Sequence, residues 1–240
     1  QWEEEFFEAV DFLREFKVVN GEYFINEKIA EGKRVLAEGA QGSMLDVDFG
    51  TFPFVTSSNT ISAGVCTGLG IPPQRIREVI GITKAYCTRV GSGPFPTELL
   101  DETGEAIRKA GNEFGATTGR PRRCGWIDLV ALNFANMING VTQIVMTKAD
   151  ILDSLDELKV CKAYKANGEE LNRVPFQMNR MQIDPVFESF EGWKTDISTT
   201  ASFNDMPQKM KTYIEYLQNF LKVPIRYISN GPGRDQIVSV

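Results

Sequence analysis

The sequence contains no histidine among its 240 residues. Histidine is the most common general acid or base in enzymes, so its absence excludes Ser-His and Cys-His nucleophile arrangements within this chain. The four cysteines lie far apart, and none belongs to a C-x-x-C pair: Cys66, Cys87, Cys124 and Cys161. This usage indicates neither a zinc site nor a disulfide framework, and it fits reduced thiols in a cytosol.

The chain also has little positive charge and no long hydrophobic run. Its 26 Lys and Arg residues are outnumbered by 32 Asp and Glu residues, which gives a net charge of −6. A protein that coats nucleic acid or an anionic membrane needs a basic surface, so we expect neither partner and place any phosphate site locally. The apolar runs end well before the roughly 18 to 20 residues that a membrane-spanning helix needs. We therefore expect a cytoplasmic globular protein.

The first residues have the pattern of an amphipathic helix. Phe6, Val10 and Leu13 recur at helical spacing, but no N-cap residue precedes them and the chain starts with glutamine instead of methionine. We therefore expect the chain to be a portion of a longer protein.

Strand-like and helix-like segments alternate along the chain. This alternation predicts an α/β fold with a largely parallel sheet flanked by helices, in which ligands gather at the carboxyl ends of the strands. The expected segments are a strand over 33–42 that ends in a glycine turn, a helix over 72–86, a helix over 127–140 that ends at Gly140, strands over 142–150 and 158–164, a hairpin turn in KANGEE, a helix over 206–223 and a strand from 224.

The stretch GATTGRPRR, residues 115–123, has no aliphatic side chain larger than that of Ala116. Glycine and proline break helices and strands, and the arginines resist burial without partners. The composition therefore indicates a loop that binds an anion.

Two further polar stretches follow expected strands or turns. Gln41 lies between Gly39 and Gly42, and it either contacts a ligand through its amide or stays solvated in a tight turn. The run Thr56 to Asn59 either surrounds a sugar or phosphate or caps the next segment.

The segment TKAD carries a sharper signal. Lys148 and Asp150 lie two residues apart at the end of an apolar strand, an arrangement suited to reading guanine, whose N1–H and 2-amino group would both donate to the carboxylate. Adenine offers neither donor there, so two such hydrogen bonds would exclude adenine by a factor on the order of a hundred. The alternative is a helix-start aspartate beside a solvated lysine.

Five long motifs resemble those of the adenylosuccinate synthetase family in order and approximate spacing. They are EGAQGSMLDVDFGTFPFVTSSNT, TRVGSGPFPTEL, NEFGATTGRPRRCGWID, TKADILDSLDELKVC and ISNGPGR. The resemblance extends over nearly the whole chain and is weakest over 165–205. It implies a ligase of AMP synthesis that couples IMP and L-aspartate, with GTP, to give adenylosuccinate, GDP and phosphate.

The resemblance also implies roles for individual residues. Gln41 would contact the IMP base and help polarise its 6-oxygen, Thr56 would hold the IMP phosphate, and the backbone of Val90 would meet the ribose. The aspartate-binding loop would comprise Ala116, Thr117, Thr118, Gly119, Arg120, Pro121 and Arg122. In it the threonines would bind a substrate carboxylate, and Arg120 would lie between aspartate and IMP.

The same resemblance places GTP around three parts of the chain. Arg122 would reach toward the phosphates, since arginine forks match phosphate geometry. The guanine base would be bordered by Lys148, Ala149, Asp150, Ser229, Asn230 and Gly231. Pro121 is a departure from the family's pattern within this loop, because proline reduces the freedom of the backbone and would stiffen the closure of the loop.

The resemblance further implies parts that this sequence does not contain. The phosphate loop, the catalytic aspartate and histidine, and the ligands of a Mg cofactor would belong to a preceding region, so the P-loop-NTPase-like fold would be incomplete and these 240 residues alone inactive. The complete enzyme would be a homodimer. We expect 1–32 to end a helical region, 33–164 to form the IMP, aspartate and guanine-binding core, and 165–240 to supply the last guanine-site turn.

Two other interpretations remain open from the sequence. One is a non-catalytic module that binds guanine nucleotides without IMP or aspartate. The other is an inert fragment whose exposed sheet edges make it self-associate.

Overall fold

The computed structural model describes residues 2–240, which form helices and strands in alternation. The helices are α1 (Trp2–Arg14), α2 (Gly21–Ala30), α3 (Ala63–Leu69), α4 (Glu102–Ala110), α5 (Leu129–Asn139) and α6 (Gln208–Leu221). The strands are β1 (Ile80–Lys84), β2 (Cys87–Arg89), β3 (Arg123–Gly125), β4 (Ile127–Asp128), β5 (Gln143–Thr147), β6 (Glu157–Ala166), β7 (Glu169–Leu171), β8 (Asp184–Glu191), β9 (Ile225–Ser229) and β10 (Ile237–Ser239). Within residues 2–240, no helix is both long and apolar enough to cross a bilayer.

The main sheet has the order β1-β5-β9-β10. Strands β1, β5 and β9 pair in parallel, and only β10 runs antiparallel, against β9. In β5, Ile144 and Met146 are buried at every second position, as a strand on a packed core requires. The expected α/β fold with parallel pairing is confirmed in this sheet, and the expected strands over 142–150 and from 224 are its members.

The remaining strands add antiparallel pairs. In the second sheet β4 pairs with β6 in parallel, whereas β7 and β8 pair with β6 antiparallel. The hairpin between β6 and β7 turns at Asn167 and Gly168, which both have positive φ, so the hairpin expected in KANGEE is confirmed. Strands β2 and β3 form a separate antiparallel pair.

The helices expected over 127–140 and 206–223 are present as α5 and α6. Capping residues set the ends of α5, and the spacing of apolar residues sets the buried face of α6. Asp128 caps α5 by accepting a hydrogen bond from the Ala131 N–H, and Gly140 ends that helix in the left-handed conformation. Helix α6 buries residues three and four apart against the main core: Met210, Tyr213, Ile214, Leu217 and Leu221.

Two expectations from the sequence are wrong. The segment 72–86 is a short 3-10 turn at Pro73–Arg75 followed by β1, because its β-branched residues fit a pleated strand beside β5. The segment 33–40 is exposed and forms neither helix nor strand, although its apolar residues suggested a strand. A strand needs a neighbour to satisfy its backbone groups, and within the described chain nothing pairs with this segment.

Candidate functional site

Three parallel strands bring polar residues to one edge of the main sheet. Lys84 ends β1, Lys148 follows β5, and Ser229 ends β9. Because these strands are parallel neighbours, their carboxyl ends lie side by side, which is where α/β sheets bind ligands. The lysine of TKAD and the serine of the last turn are therefore close to each other in the fold.

A buried carboxylate, that of Glu113, joins this edge to the arginine-rich loop. The Glu113 side chain has no exposed surface. Its Oε1 accepts hydrogen bonds from Lys84 Nζ at 2.7 Å, Tyr86 Oη at 2.6 Å and Lys148 Nζ at 2.9 Å. Its Oε2 accepts from Arg122 Nη1 at 2.8 Å. One side chain thus binds the predicted guanine-site lysine and the last arginine of the predicted aspartate loop.

The donors keep Glu113 ionised despite its burial. Desolvation acts to raise the pKa of this carboxyl, but hydrogen bonds from Lys84, Tyr86 and Lys148 outweigh it and lower the pKa to about 2. Burial, followed by the bond to Glu113, raises the pKa of Tyr86, so the phenol stays a neutral donor. Desolvation lowers the pKa of Lys84, and Glu113 opposes that effect.

The loop over 115–122 is a closed turn with an exposed tip. The Gly119 N–H donates to the Gly115 carbonyl at 2.8 Å, and the Gly115 N–H donates to the Arg120 carbonyl at 2.9 Å. The residues at the tip are exposed to solvent: Ala116, Thr117, Thr118, Gly119, Arg120 and Pro121. Pro121 forms a β-bridge with Phe114 at the base of the loop. The tip therefore presents donors to solvent while its base is fixed.

The predicted IMP residues Gln41 and Thr56 belong to a second group of loops, held by Asp46. Oδ1 of this fully buried carboxylate accepts from the N–H groups of Asp48 and Phe49, and Oδ2 accepts from those of Thr60 and Ile61. Desolvation acts to raise the pKa of Asp46, but the four backbone donors lower it overall. The carboxylate therefore fixes the turn from which the Thr56 N–H donates to the Leu45 carbonyl at 2.8 Å.

Gln41 itself is exposed, next to this fixed turn. The neighbouring Gly42 carbonyl accepts from Thr60 Oγ1 at 3.0 Å, which ties the glutamine turn to the same loop as Thr56. The two predicted IMP residues are thus brought into one group of loops.

Val90 connects those loops to the arginine-rich segment. Its neighbour Arg89 donates from Nη2 to Thr51 Oγ1 and to the Phe54 carbonyl, both at 3.2 Å. On the other side, Arg123 Nη1 donates to the carbonyls of Gly91 at 3.1 Å and Gly93 at 2.9 Å. Val90 is exposed between these two anchors.

The guanine-site candidates occupy two turns at the sheet edge. Lys148 is left-handed (φ 59°), a conformation that costs a non-glycine residue on the order of 1–3 kcal/mol unless its surroundings fix it. Its Nζ donates to the Gly111 carbonyl at 2.6 Å as well as to Glu113. Ala149 is buried, and burial raises the pKa of the half-exposed Asp150, an effect that Lys148 opposes. In the second turn, Ser229 Oγ donates to the Gly231 carbonyl at 3.0 Å.

Residues 193–200, where the sequence signal is weak, form part of this region. Asp153 accepts from Trp193 Nε1 at 2.6 Å and from the Ile197 N–H at 3.0 Å. Asn230 Nδ2 donates to the carbonyls of Ile197 at 2.6 Å and Thr200 at 3.0 Å. The segment therefore bridges the turn after β5 and the turn after β9, a role that only long-range contacts reveal.

Two residues that are predicted to bind GTP carry buried polar atoms without a hydrogen-bond partner in the protein. Within residues 2–240, Arg122 Nε and Asn230 Oδ1 make no hydrogen bond. Such buried groups are rare and cost free energy unless something else satisfies them. One is a donor beside the predicted phosphates and the other an acceptor beside the predicted base.

The described residues do not offer a metal cage. Nowhere in 2–240 do three or more Cys, Asp or Glu side chains group closely enough to hold a metal ion.

Comparisons with known proteins identify the family. The family model described as "Adenylosuccinate synthetase" matches residues 1–238 of this chain. The chain belongs to the adenylosuccinate synthetase family. It is 55% identical to the adenylosuccinate synthetase of Parabacteroides distasonis over 238 residues, covering 99% of this chain and 56% of that protein. It is 53% identical to that of Phocaeicola vulgatus over 236 residues, with coverages of 98% and 56%.

A solved structure of the family has the same fold. The fully ligated adenylosuccinate synthetase from Plasmodium falciparum superposes with a TM-score of 0.90 at 42% identity, over 93% of this chain and 54% of that one. The chain thus spans a little over half the length of the relatives that it matches.

The sequence missed two residues that organise this site. Glu113 and Asp46 both lie inside motifs that resemble those of the family, but nothing in the sequence distinguishes them from other carboxylates. An acidic residue close to an arginine-rich loop is a recognisable signal for a buried ion pair, but the sequence does not show which of several carboxylates becomes buried.

Proposed function

We propose that the protein carrying this chain is a GTP-dependent carbon-nitrogen ligase that joins IMP and L-aspartate into adenylosuccinate, with release of GDP and phosphate. The proposal rests on family membership together with one geometric observation. Glu113 binds Arg122 of the arginine-rich loop and Lys148 of the TKAD turn, so a dicarboxylate at the first and a guanine nucleotide at the second would be neighbours.

In this proposal each group of residues binds one part of the substrates. Gln41, Thr56 and Val90 take the IMP base, phosphate and ribose, in that order. The loop over 116–122 takes L-aspartate, with Arg120 between aspartate and IMP. The guanine base lies against the two turns at the sheet edge: Lys148, Ala149 and Asp150, and Ser229, Asn230 and Gly231.

The chemistry assigned to these residues is positioning and charge stabilisation. Transfer of the γ-phosphoryl group to the IMP 6-oxygen would turn that oxygen into a leaving group, which the amine of aspartate then displaces as phosphate. Gln41 would donate to the 6-oxygen, and Arg122, whose Nε has no partner within residues 2–240, would donate to the GTP phosphates. Within residues 2–240, no group of three or more Cys, Asp or Glu side chains could hold the Mg cofactor that the family resemblance implies.

The proposal also covers assembly, location and organisation. We propose a cytoplasmic homodimer for the complete protein, and the division into 1–32, 33–164 and 165–240 as functional regions. Strands β9 and β10, from the third region, share a sheet with β1 and β5 from the second, so the last two regions would act as one body.

The guanine-reading role is tested with Asp150→Asn in the complete protein. Formation of adenylosuccinate from IMP, L-aspartate and GTP is followed by mass spectrometry. We expect the KM for GTP to rise about a hundredfold, and the preference for GTP over ATP to fall, since the charged acceptor is lost. Asp184→Asn, at an exposed position at the start of β8, is the matched control and should change neither.

Other outcomes separate the alternatives. A protein that binds GDP tightly without IMP or aspartate and forms no product would be a guanine-nucleotide-binding module. The expectation that residues 1–240 alone are inactive is tested by the same assay on the isolated chain. Turnover there would contradict it, and light scattering would reveal self-association.

A further inference from the structure

The function proposed above gives Glu113 no contact with a substrate, although its carboxylate contacts a residue of each of two substrate sites. The carboxylate divides its oxygens between them, because Oε2 accepts from Arg122 and Oε1 accepts from Lys148. The backbone of the turn over 111–113 also contacts both sites. The Arg122 N–H donates to the Glu113 carbonyl, and Lys148 Nζ donates to the Gly111 carbonyl two residues earlier.

The charges around Glu113 make its position critical. Three cations contact this single carboxylate, and each retains only part of its solvent exposure: 26% for Lys84, 31% for Arg122 and 35% for Lys148. Like charges this close repel one another when water does not screen them, so the carboxylate is what allows the three side chains to converge.

The turn that carries Glu113 is itself fixed. The Glu113 N–H donates to the Arg108 carbonyl at 2.9 Å, and Arg108 Nε donates to the Arg122 carbonyl at 2.7 Å. The end of α4, the turn over 111–113 and the base of the arginine-rich loop are thus one hydrogen-bonded unit. A ligand that orders Arg122 therefore acts on the same carboxylate that orders Lys148.

We propose that Glu113 is a positioning residue that couples the two sites, so that L-aspartate in the arginine-rich loop tightens the binding of guanine nucleotide at the TKAD turn. The inference rests on the proposed function. Coupling of this kind is reciprocal, because each ligand pre-orders a group that the other needs. Glu113 touches neither ligand and acts only through Arg122 and Lys148.

The experiment measures the Kd of GDP for the complete protein, in the presence of IMP, with and without saturating L-aspartate. We expect aspartate to tighten GDP binding at least about fivefold, within the usual range for coupled sites. The coupling ratio is the Kd of GDP without aspartate divided by the Kd with aspartate. In Glu113→Gln, which keeps the shape of the side chain but not its charge, this ratio should fall to about one. A merely structural residue would alter stability but leave the ratio unchanged.

Two further variants keep the test decisive. Asp128→Asn also removes a buried carboxylate, but Asp128 accepts its hydrogen bonds from Tyr164 and Ala131, which belong to neither site, so the ratio should persist. If Glu113→Gln does not fold, Glu113→Asp keeps the charge on a side chain one methylene shorter, and its ratio should fall partway.

The failures are distinguishable. A ratio of one in the unsubstituted protein overturns the coupling without any variant, and so does a folded Glu113 variant that keeps the full ratio. If adenylosuccinate still forms in either case, the proposed function stands. A protein that forms no adenylosuccinate and binds no GDP refutes the function and the coupling together.

Discussion

Helices α1 and α6 are alike in sequence pattern and unlike in environment. They have 13 and 14 residues, and each carries large apolar side chains at helical spacing. Helix α6 buries five residues in the core, whereas α1 buries none, and its Leu13 remains 63% exposed. The comparison teaches that an amphipathic pattern specifies a helix but leaves open what covers its apolar face.

The difference follows from what lies opposite each helix. Helix α6 packs where β5, β9 and α5 offer apolar surface, so its side chains leave water. Exposed apolar clusters of the kind found on α1, which include Phe6, Phe7 and Phe12, are uncommon on a monomer surface. Two of the predictions below test this contrast at Leu217 and Leu13, and one tests the burial of a charge at Glu113. They run from the largest expected effect to the smallest.

Leu217→Ala in α6 should lower the free energy of unfolding by about 2–5 kcal/mol. Leu217 is fully buried, so the substitution removes transfer free energy and leaves a cavity in a packed core. Urea unfolding followed by circular dichroism gives the value. A loss below about 1 kcal/mol would mean that α6 is far less tightly packed than described.

Glu113 should make stability depend on pH in the acid range. Its folded pKa of about 2 lies below the ordinary value of 4.5, so its stabilisation is complete above about pH 4.5 and is lost as pH falls toward 2. This lowering of the Glu113 pKa corresponds to a contribution of roughly 3 kcal/mol to the free energy of unfolding. The charged and titratable groups that face Glu113 are Lys84, Tyr86, Arg122 and Lys148.

The measurement is the difference in unfolding free energy between the unsubstituted protein and Glu113→Gln, at pH 6 and at pH 3. This difference should narrow at pH 3. Glu31→Gln, which removes the exposed Lys28–Glu31 pair after α2, is the control and should cost less than about 1 kcal/mol. If the difference in unfolding free energy between the unsubstituted protein and Glu113→Gln is the same at pH 6 and pH 3, the lowered pKa of Glu113 is contradicted.

Leu13→Ala in α1 should change the unfolding free energy by no more than about 0.5 kcal/mol. The side chain is already exposed, and alanine is a good helix former, so little is lost. The measurement is the same urea titration used for Leu217→Ala. A cost near 2 kcal/mol would show that this face is covered in solution.

The sequence predicted elements whose signals are local. Helix α5 was predictable because its cap, Asp128, and its terminating Gly140 act within a few residues. Strand β1 was not predictable, because Ile80 and Ile82 also fit a helical pattern, and only the pairing with β5 decides between the two. Among the proposed site residues, TKAD and the arginine-rich loop stood out by composition, whereas Glu113 and the segment 193–200 did not.

By itself the sequence determined the family, the α/β alternation and which residue types are available to bind anions and guanine, because these depend on motifs and on local backbone preferences. The tertiary structure alone decided that Lys148 and Arg122, 26 positions apart, share the carboxylate of Glu113, and that α6 is covered while α1 is not. Burial and convergence of charge depend on which segments become neighbours, and no local pattern encodes that.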